Sequence, residues 1–133
     1  MLGFFKNKKA KELLGRKERW AKIEELWYED KIPSPYDALM FYAADIRNSG
    51  HSMFFSRIQE HDLTGHTMDE LIPLLPAKFE ENVLEAYRVY IRLKEEGKDE
   101  ETIYDELVKY NRFFVEHDEE ILEILELSCK ISL

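Results

Sequence analysis

Asn48-Ser49-Gly50-His51-Ser52-Met53-Phe54-Phe55-Ser56-Arg57 lies between two helical patterns, one running up to it and one leading away, and its reading decides the fold. A helical pattern ends near Arg47, and Gly50 just beyond it can take the positive φ that ends a helix, so the chain is expected to turn there. Met53, Phe54, Phe55 and Ile58 then crowd apolar side chains into a segment too short to be stable alone. It must be inserted among longer helices, with Phe55 as a core anchor. His51, between the glycine and the aromatics, reads as a structural imidazole held through a ring nitrogen rather than as a base or a ligand.

Upstream of this knot, Pro33-Ser34-Pro35 breaks the chain. Ser34 is placed to cap a helix that has Pro35 at its first position, an acid at Asp37, and an apolar face of Tyr36, Leu39, Met40, Ala43 and Ile46. Before it, Ala10 to Glu29 carries a helical stripe of Leu13, Trp20, Ile23 and Trp27, so residues 1–9 read as a flexible basic arm and 10–133 as one helical domain. Downstream, Thr67-Met68-Asp69-Glu70 reads as a capping box for a short helix through Leu75 that Pro76 closes. From Lys78 to Glu96 the apolar positions Phe79, Val83, Ala86, Tyr87, Tyr90 and Ile91 recur at helical spacing, and Gly97 stops them. Asp99 caps a helix with Ile103, Leu107, Tyr110 and Phe114 inward. Asp118 is expected to cap the last, with Ile121, Leu122, Leu125 and Cys129 inward and Glu119, Glu120, Glu123 and Glu126 mostly outward. No stretch alternates with period two between hairpin turns, which predicts an all-α, single-domain bundle of about six helices.

Composition agrees with an independently folding domain. Of the 133 residues 44% are hydrophobic, and 2 Trp, 7 Tyr and 8 Phe supply core mass that offsets a 35% charged fraction. The single cysteine, Cys129, excludes an internal disulfide and a multi-cysteine zinc site, and fits a reducing compartment. No apolar run approaches the ~18 residues of a membrane span. The apolar patch Leu2 to Phe5 precedes its lysines, the reverse of a secretory signal, so a cytoplasmic protein is expected. The net charge of −9 is unevenly spread: residues 1–20 carry seven Lys or Arg against two Glu, and the remainder carries 12 against 26 acids.

The knot resembles the motif of a bacterial domain family of unknown function that contains a DNA-mimic protein. That motif runs Asn-Gly-Gly, then an aromatic or His, then Gln before an aromatic pair and a closing Asn. Asn48, Gly50, His51, Phe54 and Phe55 follow it, whereas Ser49, Met53 and Arg57 depart from its Gly, Gln and Asn. The likeness extends over roughly residues 36–125, through Leu71 to Pro76, the segment Glu80 to Tyr90, and the ending Phe113 to Ile121. It implies a helical bundle without enzymatic activity and, in the branch with the mimic, an acidic surface that stands in for DNA.

Chemistry finds little support in the residues themselves. His61, Asp62 and His66 have ligand-type spacing, but Thr64-Gly65 between them suggests a loop, and neither a metal nor a cofactor is expected. Cys129 lies on an apolar stripe, where a thiol behaves as a small hydrophobe. Carboxylate pairs are too abundant among 28 acids to mark a general acid and base. The reading is therefore a non-enzymatic acidic interaction protein for a basic, nucleic-acid-binding partner, with no direct contact to nucleic acid or membrane. Two alternatives stay open: acids that serve solubility alone, and a small-ligand binder or enzyme with a pocket near His51. Oligomeric state is also open, a homodimer included. The candidate partner face is Glu116, Glu119, Glu120, Glu123 and Glu126, where helical rise places Glu119, Glu123 and Glu126 ~6 and ~4.5 Å apart, close to the ~3.4 Å phosphate repeat. Reversing those three to Lys is expected to abolish capture without unfolding the domain.

Overall fold

In the computed structural model the described residues are 2–61 and 64–130 for the backbone and 15–61 and 65–130 for side chains. They form seven α-helices and one 3-10 turn: α1 (Leu2–Tyr28), α2 (Tyr36–Asn48), α3 (His51–Glu60), α4 (Thr64–Leu71), the 3-10 turn Ile72–Leu74, α5 (Ala77–Glu95), α6 (Glu100–His117) and α7 (Glu119–Ser128). This is an all-α single-domain bundle. The α1 backbone is helical from Leu2, so the expected arm continues the helix; the side chains of 1–9 and of Leu13 lie outside the described residues.

The inserted segment is α3. It packs on α2, α5 and α6, while α1 closes the bundle against α7. The anticipated stripes are buried: Phe79, Val83, Ala86 and Tyr90 on α5, and Ile103, Leu107, Tyr110 and Phe114 on α6. Phe54 and Phe55 are both fully buried, so the knot has two anchors rather than one.

Gly50 makes the turn between α2 and α3 at φ +91°, and the carbonyl of Asp45 accepts from the N–H groups of both Ser49 and Gly50. Two constraints act on it. The backbone conformation suits glycine alone, and a Cβ there would stand 2.6 Å from Asn111 Nδ2. Gly50→Ala is accordingly expected to cost about 1–3 kcal/mol, read as a drop in the urea midpoint at unchanged m-value. A variant as stable as the parent would mean that the turn relaxes without loss. Gly97, at φ +73°, ends α5 as expected, with Lys98 N–H donating to the Leu93 carbonyl.

Three capping expectations are corrected. Tyr36 N–H bonds the Pro33 carbonyl, so α2 starts one residue late and Pro35, without a hydroxyl, holds the cap position meant for Ser34. Thr67 lies inside α4, which begins three residues earlier; His66 and Glu70 meet across that turn at 3.2 Å. Asp118 does hold the N-cap position of α7 but makes no capping bond, its carboxylate lying 3.7 Å from Arg16 and from Arg47 instead. Asp99 does cap α6, its Oδ1 accepting from Thr102 N–H at 2.8 Å.

Candidate functional site

His51 is fully buried, and its surroundings fix its protonation. Its backbone N–H donates to Asn111 Oδ1 at 2.8 Å, which identifies that atom as the acceptor. Nδ1, 2.6 Å from the same oxygen, must then carry the proton, so Nε2 is left to accept from the Tyr42 hydroxyl at 2.6 Å. Burial lowers the imidazole pKa to about 4, against the opposing hydrogen bond to Asn111, and raises the Tyr42 phenol. A neutral histidine with both nitrogens engaged and no exposed surface holds helices together; it has no free valence for a ligand.

The row proposed on the last two helices loses Glu126 to the interior, and Glu119 and Glu120 are engaged in ion pairs at the surface. Glu126 is 2% exposed and accepts two hydrogen bonds from Arg19, from Nε at 3.0 Å and Nη2 at 2.6 Å. Glu119 accepts from Arg16 Nη2 at 3.0 Å and Arg19 Nη1 at 3.1 Å, and these two arginines hold its carboxyl below the usual range. Lys78 pairs with Glu120. Asp118, buried at the α6–α7 junction, has Arg16 and Arg47 each at 3.7 Å; burial nevertheless pushes its pKa up against them. Arg47 also stacks 4.1 Å from the Trp20 ring centroid and meets Glu24 at 3.2 Å. The expected outward row is therefore corrected at Glu126, which is buried and with Glu119 clamps α1 to α7, while Glu120 ties α7 to α5. Only Glu116 and Glu123 of the five are exposed without an ion pair among the described residues. A lysine at 126 would face Arg19 away from water, so the triple reversal is not neutral for stability.

Among the described residues two clefts lie away from this clamp, and His51 lines neither. One, of about 410 Å³, has Trp27, Phe41 and Ile58 along its walls with Asp37, Glu70 and Arg57 around them. The other, of about 330 Å³, runs between α3, α5 and α6; Met53 and Tyr104 stand at its lip above Tyr90 and Ile103. Glu100 and Glu101 border it, as does the single cation Lys94. Cys129 is half-buried at the end of α7 rather than enclosed. No helix among the described residues is long and apolar enough to cross a membrane. Comparison with protein-family models, curated proteins and solved structures yields no match to this chain.

Proposed function

We propose that this chain is a binding module without catalysis of its own, which receives a basic segment of a partner protein on the acidic end of its α5–α6 hairpin. The observation that carries this reading is the clustering of exposed charge there. Glu95, Glu96, Asp99, Glu100, Glu101, Asp105 and Glu106 are all exposed, with Lys98 among them and one ion pair, Arg92–Glu96 at 3.9 Å.

Some of these acids have local work. Asp99 caps α6, and Glu100 and Glu101 complement the positive end of its dipole. Glu95 and Glu96 do not, because they sit at the negative end of α5, where Arg92, Lys94 and the nearby Lys98 offset them in part. Asp105 and Glu106 lie beyond the first turn of α6. Such a concentration of one sign steers and holds an oppositely charged segment. The resemblance of the knot to a family with a DNA mimic points to the same class of partner, a protein that otherwise grips phosphates.

Partners captured by the immobilised chain from its source cell are expected to be basic and to elute as salt rises through about 0.2 M. Replacing Glu95, Asp105 and Glu106 with Lys should abolish capture, and because all three are exposed and none lies in the first turn of α6 the variant should stay folded. An acidic partner, or capture indifferent to salt and to the reversal, would leave the surface charge with solubility as its role.

A further inference from the structure

We infer that the cleft between α3, α5 and α6 seats one apolar side chain of that basic segment, so that recognition combines an anchor with a charged collar. The inference rests on the binding reading above and adds the occupant. Five large apolar side chains stand out of the described surface: Tyr28, Met53, Tyr104, Val115 and Leu127. Two of them, Met53 at 44% and Tyr104 at 45% exposed, line this one cleft. Their positions are firm, because α3 is pinned from behind by Phe54, Phe55 and His51 while Ile103 and Tyr90 close the floor. Met53 also brings an adaptable thioether to the lip.

The border chooses the occupant. Glu100 and Glu101 lie on it and the other carboxylates of the hairpin follow within a few residues, which disfavours an acidic ligand and favours cations on either side of the anchor. Lys94 is directed in part to the Tyr90 ring, 6.0 Å away, and does not balance the acids. Ser49, Ser52 and Ser56 along the α3 side offer hydroxyls to a peptide backbone. At about 330 Å³ the cleft is at the small end of ligand sites, which suits one side chain and not an extended cofactor.

The test uses two labelled peptides, one with a phenylalanine flanked by lysines and one with glycine in its place, titrated with the full chain by fluorescence anisotropy. The phenylalanine peptide is expected to bind about tenfold more tightly, the effect of burying one apolar side chain. Met53→Ala with Tyr104→Ala should bring the ratio to about one while leaving the glycine peptide unchanged, and Ser56→Trp, which fills the cleft from its exposed edge, should do the same. Equal affinity for the two peptides overturns the anchor alone and leaves the charged surface standing. A ratio that survives both variants places the anchor elsewhere and overturns the assignment. If neither peptide binds at low salt, the binding reading and the anchor fall together.

Discussion

Phe55→Ala is expected to lower the free energy of unfolding by about 3–5 kcal/mol, a loss visible in a urea melt as a shifted midpoint. The ring is fully buried, with Tyr87 at 5.1 Å, Tyr90 at 5.3 Å and His51 at 5.8 Å between centroids. Those three neighbours come from α5 and from the start of α3, so the ring is the contact through which the short helix meets the long one. Two of the three neighbours resist collapse into the space, because Tyr90 is tied to Gln59 by its hydroxyl and His51 is held at both nitrogens. Phe54→Ala should cost a similar amount, since Phe54 is equally buried and packs 5.0 Å from Tyr42 on the opposite side. Met53→Ala, on the exposed face of the same helix, is the control and should stay within about 0.5 kcal/mol. A loss under about 1 kcal/mol for Phe55 would show that the knot does not depend on its aromatics.

The features that sequence made legible are local ones. A glycine after a helical pattern, an aspartate ahead of Thr102, and apolar residues recurring at three and four positions each state their structure within one or two turns of chain. Gly50, Asp99 and the stripes of α5 and α6 are accordingly where the pattern puts them. Partners distant in sequence were not legible. Asn111, which holds both the backbone and the ring of His51, is 60 positions away and looks like any polar residue of an amphipathic helix. Glu126 shows a signal in retrospect: it follows Leu122 by four and Leu125 by one, so it falls on the buried face of α7. A buried carboxylate there needs a cation from another helix, and Arg19, next to Trp20 on α1, supplies it. Part of the charge that looked most like a binding surface, Glu119, Glu120 and Glu126, was thus charge the fold had paired. The α5–α6 hairpin retained its own because α5 and α6 bury apolar stripes against each other and leave their acids in water.

Acidification is expected to remove about 3 kcal/mol of stability through His51 alone. The folded pKa of about 4 lies below the ordinary 6.5, so the unfolded chain binds the proton more readily than the native one. The contribution is therefore complete above pH 6.5, declines as the pH falls toward 4, and changes little below that. Its physical origin is the arrangement of partners: a second proton on Nε2 would point at the Tyr42 hydroxyl, which now donates there, and turning that hydroxyl round leaves its own proton without an acceptor. Asn111 can still accept from Nδ1, but it brings no negative charge to offset a buried imidazolium. Other groups titrate in the same range in both directions. Burial raises Asp45 and Asp118, which makes their protonation favourable to the native state, while Glu119, held low by Arg16 and Arg19, acts the opposite way. The measurement must therefore be a difference: urea midpoints from pH 7 to pH 4 for the parent and for His51→Gln, which keeps a donor and an acceptor and cannot titrate. The gap between the two should narrow by about 3 kcal/mol over that interval, all of it on the parent's side. A gap that stays constant with pH would mean that the native fold takes the proton as easily as the unfolded chain, and that water or a carboxylate reaches the ring.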